Sequence, residues 1–185
     1  MKLNGCGKQQ GLRSKTSYPR ALRAGQNAEI PDSAGEVEVQ ASRQLRIFCD
    51  ADVLIAGSAS TTGASHILLQ LAELTLVTCQ TSEYAIAEAE RNLLAKLPAA
   101  LAPFRLIVHA AITIVPPPSP ALVESLADQA HAKDVPILAA AVANESDFLV
   151  TFNLRHFRPR KIAPLIQRPG ELIAQVRRSL IHLLN

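Results

Sequence analysis

The 185-residue sequence has no tryptophan, two tyrosines and five phenylalanines, so aromatics make up only 4% of it. Hydrophobic residues still reach 48%, and aliphatics and alanine must therefore fill the core. So few aromatic rings argue against a stacking platform for single-stranded nucleic acid. Cysteine is scarce too: Cys6, Cys49 and Cys79 are odd in number and none is at metal-ligand spacing from another. That excludes a disulfide framework or a cysteine-based zinc site and fits a reducing compartment. No apolar run approaches the roughly 18 residues that span a bilayer. The opening MKLNGCGKQQGLRSK lacks the apolar core of a secretory signal. A cytoplasmic protein with no membrane partner is expected. HExxH, GxSxG and a Gly-rich phosphate loop are missing as well, which removes several common catalytic schemes.

What is present is unevenly charged. The net charge is +3. Residues 1–46 hold eight Lys/Arg against four Asp/Glu, while the remainder holds eleven against twelve. The first 43 residues show no sustained apolar period and read as a flexible basic arm, with contact to RNA or DNA as the functional alternative. Residues 44–185 read as one domain, in keeping with the length. The run Leu45–Asp50 is a buried strand by pattern, Ala64–Ala72 a helix, and Leu74–Thr78 a second strand. Thr81-Ser82 caps a helix to Leu97, which Pro98 stops. Ile112–Val115 is a third strand, Ser119-Pro120 and Asp134 open helices, Phe148–Thr151 is a fourth strand, and Arg168 begins a final helix to about Leu184. Alternating strands and helices predict an α/β domain with a mostly parallel sheet and helices on both faces.

In such sheets ligands bind beyond the carboxyl ends of the strands. The first strand delivers Asp50 and Asp52, and residues two apart on an extended chain point the same way. Glu88 and Glu90 follow the second strand, Asp134 the third, and Thr151-Phe152-Asn153 the fourth. Carboxylates gathered in this way repel unless a cation neutralises them, and oxygen-only donors favour Mg²⁺ or Mn²⁺. A cation of that kind can stabilise the charge that develops in phosphodiester cleavage.

Three blocks, RIFCDADVLIAGSAS, SEYAIAEAERNLL and KDVPILAAAVANESDFLVTFNLRHF, together with the closing PGELIAQV, resemble the PIN-domain family in the family's order. More narrowly they resemble the VapC-like toxin components of type II toxin–antitoxin pairs. The resemblance runs from about Leu45 to about Val176. It implies a three-layer α/β/α fold and a metal-dependent endoribonuclease using Mg²⁺ or Mn²⁺, with RNA as substrate, a cognate antitoxin as partner and a homodimer as the common assembly. It places the family's acids on Asp50, Glu88 and Asp134. The fourth acidic position falls on Asn153, which keeps an oxygen and drops a charge. Asp52 stands where the family often has Asn, so an extra carboxylate can compensate as a metal ligand. His131 stands where the family often has another acid.

Each of these residues also has a plainer reading. Asp50 and Asp134 would serve as caps in any protein, and Glu88 is chosen over Glu90 by the family's register alone. Asp147 reads as a turn residue. His131 and His156 have no partner at ligand spacing, so solvated or packed roles come first. Arg155, Arg158, Arg160 and Lys161 form a basic cluster after the acidic turn: either a solvated loop or a phosphate-positioning patch beside the acids. Two alternatives to the ribonuclease remain open. Asp50-Ala51-Asp52-Val53 after an apolar strand also fits a haloacid dehalogenase-like phosphatase with Asp50 as nucleophile. A degenerate PIN domain could bind RNA or a protein without cutting.

Overall fold

The computed structural model describes residues 43–158, 160 and 164–183. The expected arm, apart from Arg43, and Lys161 lie outside the described residues. Five strands, β1 (Arg46–Cys49), β2 (Thr78–Ser82), β3 (Ile112–Val115), β4 (Phe148–Val150) and β5 (Leu165–Gln167), form one sheet in the order β3-β2-β1-β4-β5. Every pairing is parallel. Seven helices cover it: α1 (Ala51–Ala59), α2 (Ala64–Glu73), α3 (Glu83–Lys96), α4 (Leu101–Ala111), α5 (Pro120–Ser125), α6 (Val135–Ala143) and α7 (Pro169–Leu183). This is the three-layer α/β/α architecture that the alternating pattern called for. Among the described residues no helix is long and apolar enough to cross a membrane.

Burial explains why these runs become strands. Ile47, Phe48 and Cys49 on β1 and Leu149 and Val150 on β4 are fully buried, as befits central strands covered on both faces. Small residues let the helices close on the sheet: Ala85, Ala89, Ala139, Ala140 and Ala141 are all buried. Gly57 on α1 is the tightest such approach. A Cβ there would lie 2.4 Å from Leu69 Cδ1 and 3.2 Å from the Ser65 backbone, so α1 and α2 touch through the missing side chain. Cys49 and Cys79 are buried free thiols.

Several elements depart from the sequence reading. The second strand is TCQTS, not LTLVT: Leu74–Val77 make the turn before it, with Leu74 and Leu76 exposed and Thr75 at φ 57°. The strand is instead the stretch whose register fits β1, Arg46 opposite Thr78 and Phe48 opposite Gln80. Buried polar groups make this possible, with Thr81 Oγ1 donating to the Cys49 carbonyl at 2.7 Å and Ser146 Oγ to Gln80 Oε1 at 3.0 Å. α1, α4 and β5 were not expected at all. α1 is apolar on all sides and so carries no helical stripe to read.

Candidate active site

The strand order reverses at β1. The chain runs outward through β2 and β3 and then returns to the other side of β1 as β4, which opens a crevice at their carboxyl ends. Cys49 pairs with Val150, so the next residues, Asp50 and Thr151, leave the sheet side by side. The Asp50 amide donates to the Val150 carbonyl at 3.1 Å.

Asp50 is the N-cap of α1, its Oδ1 accepting from the Ala51 amide at 2.7 Å. Its Oδ2 accepts from Thr151 Oγ1 at 2.8 Å. Thr151 is fully buried, and its oxygen also lies 3.3 Å from Asp52 Oδ2. One hydroxyl carries one proton, so the two carboxylates share a single donor there. Asp52 sits in the first turn of α1 rather than on an extended strand. The same-face argument for Asp50 and Asp52 therefore fails as stated, and it is Thr151 that links them. Asp52 Oδ2 also accepts from the Phe152 amide and from Asn153 Nδ2, each at 3.0 Å, while Asp52 Oδ1 is buried without a hydrogen-bond partner.

Burial is the largest influence on both acids and pushes each upward. Asp50 rises from its ordinary value, with further upward contributions from the charges of Asp134 and Glu88; the bonds from Thr151 and Ala51 pull the other way. Asp52 is pushed up to about 6 by burial and then by the charge of Asp50. Asp134 and Glu88 thus reach the crevice electrostatically. Glu88 is half-buried on α3, whose N-cap Ser82 accepts from the Ala85 amide. Glu90 instead pairs with Arg105 Nε at 2.9 Å, so the two glutamates point to different work.

Asp134 occupies the N-cap position of α6 but makes no capping hydrogen bond, contrary to its expected cap role. Its Oδ2 lies 3.1 Å from His156 Nδ1. The pair is within ion-pair range, yet neither atom, although buried, makes a hydrogen bond. His156 stacks on His131 with ring centroids 4.6 Å apart and planes 19° off parallel. The reading of these histidines as lone side chains is thereby overturned, because the pairing of Ala130 with Phe157 brings together residues 25 positions apart. Ligand atoms of His131, Asp134 and His156 lie within 4.8 Å of one another.

Of the basic cluster, Arg155 and Arg158 are exposed and make no ion pair among the described residues. Arg160 is tied to Asp128. Asp147 holds the start of β1, accepting from the Arg46 amide at 2.8 Å and pairing with Arg43, as its turn reading anticipated.

The donors of the crevice are oxygens, one of them a buried orphan, and burial penalises their charge. That set fits a hard divalent cation. An acid-lined crevice at the switch point of a parallel α/β/α sheet defines a class of proteins that hold a ligand beyond the strand ends. Within that class the chain belongs to the PIN-domain family: a family model described as PIN domain matches residues 46–155. Membership supports a nuclease role and displaces the dehalogenase-like phosphatase alternative. No curated protein matches the chain. Among solved structures it is similar to VapBC2 from Rickettsia felis bound to a DNA fragment from their promoter, at 16% identity and TM-score 0.50, over 67% of this chain and 98% of that one. It is also similar to PAE2754 from Pyrobaculum aerophilum, at 15% identity and TM-score 0.53, over 76% of this chain and 95% of that one. At such identities the likeness is one of fold.

Proposed function

We propose that the chain is a divalent-metal-dependent endoribonuclease and the toxin of a toxin–antitoxin pair. The observation that carries the reading is the Thr151-linked pair at the carboxyl ends of β1 and β4: Asp50, raised by burial and by the charges of Asp134 and Glu88, and Asp52, raised by burial and by the charge of Asp50. Asp50, Glu88, Asp134 and Asp52 would hold Mg²⁺ or Mn²⁺, and the ion supplies charge for a phosphate oxygen and for the leaving oxyanion. Thr151 orients Asp50, and the Ala51 amide fixes its other oxygen, so the carboxylate is set before substrate arrives. Asn153 holds Asp52 through its amide and completes the acidic turn. Arg155 and Arg158 lie in the loop that follows and give the backbone phosphates a positive partner beside an acidic crevice; Lys161 would extend that patch.

The R. felis neighbour is VapBC2, and this chain resembles the VapC-like toxins, which supports a small antitoxin protein as partner. Exposed Leu94 on α3, Leu97 at its C-cap and Leu106 on α4 offer apolar surface for a homodimer or for that antitoxin. The test is cleavage of mixed structured RNAs by full-length protein with Mg²⁺, Mn²⁺ or EDTA. Cleavage is expected with either ion and none in EDTA, and Asp50→Asn should cut the rate by about 100-fold or more. Undiminished cleavage by an Asp50→Asn, Asp134→Asn double variant would sink the proposal. RNA binding without metal and without product would mark a PIN domain that binds but does not cut.

A further inference from the structure

The His131–Asp134–His156 group has no part in the reading above beyond Asp134 itself. Its backbone is held as a clamp: the His131 amide donates to the His156 carbonyl at 2.8 Å and the Arg158 amide to the Gln129 carbonyl at 2.7 Å, on either side of the Ala130–Phe157 bridge. The Asp134 amide closes back on the His131 carbonyl at 2.7 Å. The backbone that carries the three side chains, from two loops, is thereby held together. Asp134 is 9% exposed, and its Oδ2 and the Nδ1 of His156 face each other at 3.1 Å, with no hydrogen bond made by either. The two atoms are within ion-pair distance of each other but neither makes a hydrogen bond, and a buried polar atom without one costs free energy unless something else satisfies it.

We propose that His131, Asp134 and His156 form a binding site for a borderline divalent cation of the zinc class, distinct in chemistry from the oxygen-lined crevice. Two imidazole nitrogens and a carboxylate oxygen suit Zn²⁺, Co²⁺ or Ni²⁺ and discriminate against Mg²⁺, which prefers oxygen. Tetrahedral zinc with nitrogen and oxygen ligands separates its donors by about 3.3 Å. The Asp134–His156 pair already has that spacing, and the whole group lies within 4.8 Å. His131 is exposed, and its ring, stacked on His156, is the part that would turn to close the remainder. Three protein ligands leave the fourth position open to water or a phosphate oxygen. Because the charge of Asp134 also acts on Asp50, an ion here offsets that charge, which couples the two sites. The inference stands whether or not the chain cuts RNA.

Full-length protein stripped with EDTA is titrated with Co²⁺, followed by its visible absorption, and with Zn²⁺ by calorimetry. One equivalent of Co²⁺ should develop the strong absorption of a low-coordinate nitrogen/oxygen site, Zn²⁺ should displace it, and millimolar Mg²⁺ should not. His131→Ala, an exposed position whose truncation leaves the fold intact, should weaken Zn²⁺ binding by about tenfold or more, and His156→Ala likewise. Asp50→Asn should leave it within about threefold, since Asp50 is no ligand here. Equal Zn²⁺ affinity in wild type and His131→Ala would overturn the site, as would loss of the Co²⁺ absorption in Asp50→Asn alone.

Discussion

Asp52 and Asn153 exchange the roles that the resemblance assigns to their positions. Where the family often has Asn followed by a distant acid, this chain has the acid first and the amide later, and the two side chains meet at 3.0 Å. An acid at both positions would set like charges in contact in a half-buried site. Asp52→Asn should therefore lower cleavage by about tenfold or more, whereas Asp52→Asn, Asn153→Asp should recover most of it. Rates of the two single variants and the double variant, compared as a cycle, check this. The same acids set a pH dependence. Burial raises Asp50 and Asp52, the latter to about 6, so the folded chain holds their protons more tightly than the unfolded one. Their contribution is then most favourable at low pH and is lost as pH rises from about 4 through about 6. In EDTA the Tm should be higher at pH 5 than at pH 7, Mg²⁺ or Mn²⁺ at pH 7 should raise it, and Asp52→Asn should flatten the slope. Asp50 and Asp134 were legible in the sequence because the one follows an apolar strand and the other opens a helix, whereas Glu88 was singled out by the register of the resemblance alone. The donor that links Asp50 to Asp52, Thr151, was read as the end of the fourth strand, since nothing local marks a buried hydroxyl as shared. The partnership of His131 with His156 carried no local signal at all, because it depends on a bridge between distant loops.

At the scale of elements, strands and helices were read best where a cap or proline punctuates the chain. Ser82, Ser119 and Pro169 begin helices as their types suggest. Ile112–Val115 is a strand at the bounds expected. α1 was missed because a helix with apolar residues on every side has no polar stripe, and the second strand slipped because LTLVT has the better β-propensity. Register with β1 outweighed that preference: TCQTS hydrogen-bonds to two strands and places Ser82 to cap α3. α1 in turn depends on its contact with α2. Gly57→Ala gains helix propensity, about 1 kcal/mol, against overpacking of about 1–3 kcal/mol at Leu69 and Ser65. Gly57→Val should lose clearly more, read as a lower urea midpoint. Because α1 carries both Asp50 at its cap and Asp52 in its first turn, the same variant should also lose activity.

For the whole molecule, the net charge of +3 averages a basic leading segment and a nearly neutral body. The leading surplus belongs to residues 1–46, of which only 43–46 are described, so its value is best tested by removal. Deletion of residues 1–42 should weaken RNA binding and make it less steeply salt-dependent, while leaving cleavage at saturating RNA unchanged; binding isotherms at two or more salt concentrations decide this. By itself the sequence determined the fold class, since the alternation of short apolar runs with helix-capped segments admits few architectures other than a covered parallel sheet. It also determined which acids lie at strand ends. The tertiary structure decided which of those acids meet, through Thr151 and the reversal of strand order beside β1. It decided too that two histidines and Asp134 share one corner. Strand order and loop pairing are set by long-range packing and register, and these leave no periodic mark on the chain.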